Sequence, residues 1–238
     1  MIQLAVFDMA GTTIDDGGAV YRALAEAVRE TGATVAPSDL QAWMGTEKHA
    51  ALSALIILGG GTATPELIDA AYSRFATILA ENYAARPPKP LPGIPETLTA
   101  LRAAGIQVAL TTGFTRAVAT GILDGLGWRI GAPTADNTVS IDALVCGDEV
   151  AAGRPAPYLI HRAMERTGVV DVARVLTAGD TVVDVQSGIN AGVARTVGVL
   201  TGELTAQDFA DAGFSRDSHQ RVSILASVTE IPAHMNDK

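Results

Sequence analysis

The chain has 238 residues, 48% hydrophobic and 18% charged, a globular composition long enough for one full domain plus an insert, or for two small domains. Its formal net charge of −9 excludes a basic surface that would neutralise nucleic-acid phosphates, while leaving room for a small anionic substrate where cations cluster. A lone cysteine, Cys146, excludes a disulfide framework and a cysteine metal cage, and no run approaches the ~18 apolar residues of a membrane span. The N-terminus enters a strand directly, without a basic and apolar leader, so a soluble cytoplasmic protein is expected.

Leu4 to Phe7 form a short apolar run that reads as a strand buried on both faces, ending at Asp8 and followed by Met9-Ala10-Gly11-Thr12-Thr13. Ile14 to Gly18 are a turn-rich exit, in which Asp15 and Asp16 read as turn residues, the alternative being hinge acids at the start of the next segment. A helix is predicted over 20–31, stopped by Gly32. Ser38 is expected to cap a second helix, which should break at Met44-Gly45. A third should run from Glu47 to Leu58 and end in Gly59-Gly60-Gly61, and Thr64-Pro65 opens a long one to about Tyr83, with proline at the favoured first position. Residues 18–85 therefore read as wholly helical.

The proline-rich stretch 86–93 lacks the donors of a helix or central strand and reads as a linker. Beyond it, predicted helices at 94–104, 116–126, 157–167 and 183–191 alternate with strands at 106–111, 141–145, 174–178 and 196–200. That alternation predicts an α/β fold, a doubly wound parallel sheet with a Rossmann-like core. The core would comprise residues 1–17 and 86–238, with an all-helical cap domain, residues 18–85, inserted after the first strand and lying over the carboxyl edge of the sheet. His219 and His234 fall in what reads as a polar tail.

Four polar clusters fall after four predicted strands: Asp8, then Thr111-Thr112-Gly113, then Arg154, then Gly179-Asp180 with Asp184. In a parallel sheet these ends converge on one edge. Asp8 and Asp180, with Asp184 nearby, make a hard-oxygen site suited to Mg²⁺, which takes one or two carboxylates and keeps several waters. The Thr112 hydroxyl and the Arg154 cation suit a bound phosphoryl group, on which Asp8 could act as nucleophile to form an aspartyl-phosphate. Singly, each residue has an ordinary reading: a turn cap for Asp8, a solvated helix start for Asp180 and Asp184, a surface ion pair for Arg154. Their convergence favours the chemical one.

These residues resemble the haloacid dehalogenase-like hydrolases, and more closely their phosphonatase-like group, over nearly the whole chain. Asp8-Met9-Ala10-Gly11-Thr12-Thr13 looks like the first motif, Thr112-Gly113 the second, Gly153-Arg154-Pro155 the third, and Gly179-Asp180-Thr181 through Asp184 the fourth. The resemblance implies Asp8 as nucleophile, Mg²⁺ held by Asp8, the Ala10 carbonyl and Asp180 beside Asp184, and a mobile cap that closes over substrate. Thr12, Gly113, Met44 and Gly45 are the expected substrate-binding positions.

Most phosphatases of this family carry an acid two residues after the nucleophile, where this chain has Ala10. General acid catalysis is typically worth about 10²- to 10⁴-fold for an ester leaving group, so its absence points elsewhere. A carbon leaving group β to a carbonyl can instead be handled by a lysine, whose iminium takes up the electrons as the C–P bond breaks. Met44-Gly45-Thr46-Glu47-Lys48 resembles the cap motif carrying the Schiff-base lysine, and Lys48 is one of only three lysines among 17 basic residues. An anion-holding role, or a solvated helix start, is the other reading of Lys48. Phosphonoacetaldehyde hydrolases usually carry a histidine three residues beyond that lysine, where Ala51 stands here, with His49 adjacent instead; Phe114 stands where a tyrosine is expected. The expected activity is Mg²⁺-dependent hydrolysis of a small phosphonate, the alternative a phosphomonoester phosphatase acting on a small metabolite, with a homodimer left open. A phospho-acceptor signalling domain would be about half this length and need no cap. Trp43 and Met44 are expected in the cap core, Met44 alternatively against substrate, and Cys146 as a small buried hydrophobe.

Overall fold

The computed structural model describes residues 1–132, 138–214 and 221–235, so His219 lies outside the described residues. The chain divides into two compact units, one of Met1–Asp15 with Lys89–Lys238 and one of Asp16–Pro88.

In the first unit six strands form one parallel sheet: β1 (Leu4–Asp8), β2 (Gln107–Thr112), β3 (Ala143–Cys146), β4 (Val175–Gly179), β5 (Arg195–Val199) and β6 (Val222–Leu225). Their spatial order is β6-β5-β4-β1-β2-β3, every pairing parallel. Every residue of β1 is buried. Successive side chains of a strand point to opposite faces, so β1 is covered on both, as its unbroken apolar run requires. In one layer Leu4, Val6, Ala109 and Val145 pack with Leu159, Ile160 and Ala163 of a helix at Tyr158–Thr167; towards the other edge Val185, Phe209, Phe214 and Val222 form a second cluster. The strand order reverses between β1 and β4, and such a switch point is where open α/β sheets open a crevice at their carboxyl ends.

Within this unit three readings of the sequence need correction. The C-terminal stretch is not a polar tail: Val222–Leu225 adds the sixth strand, and Ile231–His234 forms a short helix. His234 sits against this edge, its Nε2 2.9 Å from Ser223 Oγ and its carbonyl accepting from Arg195 Nη1 at 2.7 Å. Only Val222 of the strand is fully buried, so its periodicity is weak, as suits an edge. The strand read over 141–145 is broken at Asp142, whose Oδ2 accepts from Val108 N at 2.8 Å and whose Oδ1 meets Arg102 Nη2 at 2.7 Å. Ser140–Ile141 pairs instead with Arg129–Ile130, and β3 begins at Ala143. Third, the turn after Asp8 and the proline-rich linker meet: Ile14–Asp15 pairs antiparallel with Lys89–Pro90, a two-residue ribbon that tolerates Pro90.

The second unit is four helices, α1 (Ala19–Glu30), α2 (Pro37–Ala42), α3 (Lys48–Leu58) and α4 (Pro65–Ala85). Helices α1 and α4 pack closely through Ala23, Leu24, Ala27 and Val28 on one side and Ala71, Phe75, Ile78 and Leu79 on the other. Asp16 caps the start of α1, accepting from Gly18 N at 2.9 Å and Val20 N at 3.0 Å. Ser38 is not a cap: α2 begins at Pro37, whose fixed φ suits the first position, so Ser38 falls inside the helix. Trp43 and Met44 are half-buried rather than in the core, because they end α2 at the surface of this unit. Among the described residues no helix is long and apolar enough to cross a membrane.

Candidate active site

Asp8 ends β1 with 7% of its surface exposed, opposite Thr111 of β2. The turn beyond it is tight: the amides of Thr12, Thr13 and Ile14 all donate to the Met9 carbonyl, and Thr13 Oγ1 donates to the Asp8 carbonyl at 2.9 Å. Gly11 holds φ at +84°, the left-handed conformation that a side chain resists. A Cβ there would also collide with the Asp180 carboxylate.

Arg154 is the hub of the edge. Its Nη2 lies 2.7 Å from Asp8 Oδ1 and donates to Thr111 Oγ1 at 2.8 Å, while its Nε lies 2.8 Å from Asp184 Oδ1. The guanidinium fork thus joins β1, β2 and the helix after β4, which a single-point ammonium would not do. Asp184 is occupied on both oxygens, because its Oδ2 also accepts from Thr181 N at 3.1 Å and from Thr181 Oγ1, closing a capping box on the helix Val182–Ala191. Asp180 follows β4, and its Oδ1 accepts from Thr12 Oγ1 at 2.8 Å.

Charge at this edge is out of balance. Burial pushes Asp8 up to about 7, more than Arg154 pulls it back, with Asp184 adding repulsion. Burial, then the charges of Asp8 and Asp184, raise Asp180 well above the carboxylate range. For Arg154 burial works against its charge, but Asp184 and Asp8 outweigh it and hold the guanidinium protonated. One buried cation therefore serves three buried carboxylates. Among the described residues no group of three or more His, Cys, Asp or Glu side chains converges as a ready metal cage. Mg²⁺ needs only one or two carboxylates, and the hard oxygens of Asp8 and Asp180, whose burial the one guanidinium does not offset, fit such a cation.

The structure brings Asp8, Ala10, Thr12, Thr112, Gly113, Arg154, Asp180 and Asp184 into one unit, with the strand ends that carry them adjacent. Thr112 is buried and its Oγ1 accepts from Phe114 N at 3.1 Å, so it shapes the turn through Gly113. Thr111, rather than Thr112 to which the sequence reading gave the hydroxyl role, is the hydroxyl that meets Arg154. Thr13 and Thr181 fell within the first and fourth motifs without a role of their own, and Thr201 escaped notice; each stands at a strand end or one turn from it, the same signal that marked Asp8.

Lys48, Met44 and Gly45 belong to the helical unit. Lys48 opens α3 with 4% of its surface exposed, and its Nζ donates to the Thr46 carbonyl at 2.9 Å. Glu47 caps the helix, accepting from His49 N and Ala50 N, each at 2.9 Å. Gly45 holds φ at +77°, and Ala51 is fully buried one turn beyond Lys48. His49 is exposed and stacks on Tyr72 with ring centres 4.1 Å apart.

Fold and site together define an α/β enzyme that presents a buried carboxylate and a cation at a strand edge. The chain matches the haloacid dehalogenase-like hydrolase family over residues 2–192 and belongs to it. It is 30% identical over 212 residues to phosphonoacetaldehyde hydrolase of Paraburkholderia xenovorans, covering 83% of this chain and 74% of that protein. A hydrolase from Pseudomonas syringae superposes with a TM-score of 0.79 at 21% identity, covering 99% of this chain and 98% of that one. A phosphonoacetaldehyde hydrolase-like protein from Oleispira antarctica does so with a TM-score of 0.76 at 23% identity, over 99% and 92% of the two chains.

Proposed function

We propose that this hydrolase cleaves the C–P bond of a small phosphonate bearing a carbonyl β to phosphorus, with Mg²⁺ as cofactor and Asp8 as nucleophile. The observation that carries the reading is Ala10, which stands where a general acid for an ester leaving group would be needed. The curated relative named above supports the substrate class.

Asp8, Asp180 and the Ala10 carbonyl would hold the cation, which when bound supplies positive charge against the phosphoryl oxygens. Arg154 and the turn at Thr112-Gly113 orient and neutralise the same group. Lys48 condenses with the substrate carbonyl, losing water to form a protonated imine. Asp8 then attacks phosphorus, the C–P bond breaks, and its electron pair passes to the iminium, leaving an enamine on Lys48 and a phosphoryl group on Asp8. Water hydrolyses the aspartyl-phosphate to inorganic phosphate; protonation at carbon and hydrolysis of the imine release the dephosphonylated carbonyl compound and free Lys48.

The test is phosphate release from phosphonoacetaldehyde, related phosphonates and phosphate esters, with and without Mg²⁺, on the parent and on Asp8→Asn. Expected are turnover of a phosphonate only with Mg²⁺ and none by the variant. Efficient ester hydrolysis with no activity on any phosphonate would overturn the reading in favour of a phosphomonoesterase.

A further inference from the structure

The crevice has a fifth strand end. Beyond β5, Leu200 N still bonds the Leu225 carbonyl at 3.1 Å, and the chain then turns towards Asp180. Thr201 Oγ1 donates to the Gly11 carbonyl at 2.6 Å, across 190 positions of sequence. Gly202 packs so closely on Asp180 that a Cβ would overlap its carboxylate at Oδ2, and a Cβ on Gly11 would overlap the same oxygen. One oxygen of Asp180 is thus held by Thr12 Oγ1, while the other lies between two backbones that can approach only because both residues are glycine.

The Gly11 contact reaches further. Gly11 N donates to the Ile14 carbonyl at 2.9 Å, and the Gly11 carbonyl accepts from Thr201, so the peptides on both sides of Gly11 are pinned. The peptide carrying Gly11 N also carries the Ala10 carbonyl, and its planarity fixes that oxygen once the N–H is fixed. The structure assigns Thr201 and Gly202 as positioning residues for a divalent cation: Gly202 sets the Asp180 carboxylate, and Thr201 locks the turn bearing the Ala10 carbonyl. The assignment rests on the reading above, in which Asp8, Asp180 and the Ala10 carbonyl hold Mg²⁺. Outer partners that orient metal ligands are typically worth about 10- to 100-fold in affinity.

The experiment is Mg²⁺ titration of the whole, substrate-free protein, read as the Mg²⁺-dependent rise in melting temperature and by calorimetry, on the parent, Asp180→Asn, Thr201→Val, Thr201→Ser and Gly202→Ala. Thr201→Val keeps the shape of the side chain, so it reports even where Gly202→Ala folds poorly. Expected is about a tenfold or greater weakening of Mg²⁺ binding in Thr201→Val and Gly202→Ala, with affinity restored in Thr201→Ser. A lower melting temperature in EDTA with an unchanged Mg²⁺ midpoint marks a purely structural role and overturns the assignment. Where the parent binds Mg²⁺ and Asp180→Asn does not, that result leaves the metal reading standing and removes this inference alone. A parent with no Mg²⁺ response removes both.

Discussion

Glu149 offers a prediction whose size follows from the structure. It ends a short turn after β3 and accepts from Arg116 Nη2 at 2.6 Å, from Arg166 Nη2 at 2.9 Å and from Cys146 N at 2.8 Å. Arg116 opens the helix beyond Gly113 and Phe114, so this carboxylate ties the β3 end to the turn after β2. Its partial burial alone would raise its pKa, but the Arg166 and Arg116 hydrogen bonds win and hold it at about 2, from an ordinary 4.5. That gap of about 2.5 units corresponds to about 3 kcal/mol of folding stability at neutral pH. The side chain is 22% exposed, and solvent screening brings the expectation for Glu149→Gln to about 2 kcal/mol. The sign is fixed by the depressed pKa. The contribution is complete above pH 4.5, where the unfolded chain is also ionised, and is lost as pH falls from there through about 2. At pH 3 less than about half should remain. Urea unfolding of parent and variant at pH 7 and pH 3 measures this. In a Trp43→Phe background the signal comes from buried Trp128 of the sheet unit alone. A stability gap equal at the two pH values would refute the reasoning.

Two further substitutions probe the chemistry. Arg154→Lys keeps a charge but cannot reach Asp8, Asp184 and Thr111 together; turnover should fall about 10²-fold or more, with a lower melting temperature, and steady-state kinetics beside a thermal melt check both. Lys48→Arg preserves the cation but cannot form an imine, so phosphonate turnover and the borohydride-trapped adduct should vanish together. Retained phosphonate turnover in Lys48→Arg would end the imine route, whatever the substrate.

The sheet was legible because five of its strands are buried on both faces and therefore low in charge along their length, with β1 as the extreme. The polar groups at their ends were legible for the same reason, since a charged residue closing such a run stands out. What escaped lies where that contrast fades. Val222–Leu225 is an edge strand with three half-buried residues, and Asp142 breaks a strand by hydrogen bonds to residues more than thirty positions away. Ser38 misled because a capping residue and a proline competed for one helix start, and the proline's fixed φ won. Threonines were undervalued as a class. Thr12, Thr13, Thr111, Thr181 and Thr201 each make a hydroxyl bond at this edge, yet of these only Thr12 was given a role, because threonine's β-branching also marks an ordinary strand residue.

The electrostatics of the edge argue that it was not assembled for stability. Burying three carboxylates around one guanidinium raises Asp8 and Asp180 far from their ordinary values, and apolar residues of similar volume would fold more readily. Asp184 is satisfied on both oxygens by Arg154 and Thr181, whereas Asp8 has Arg154 on one oxygen and Asp180 has no cation within ion-pair distance among the described residues. The surplus therefore rests on Asp8 and Asp180, the two carboxylates nearest the turn at Gly11. Under the reading proposed above, a cation bound at this point would take the place of the protons that burial holds on these two acids. Gly11 and Gly202 close on one oxygen of Asp180 while Thr12 holds the other, so the repulsion among these acids falls where solvent is excluded and only a few fixed contacts offset it.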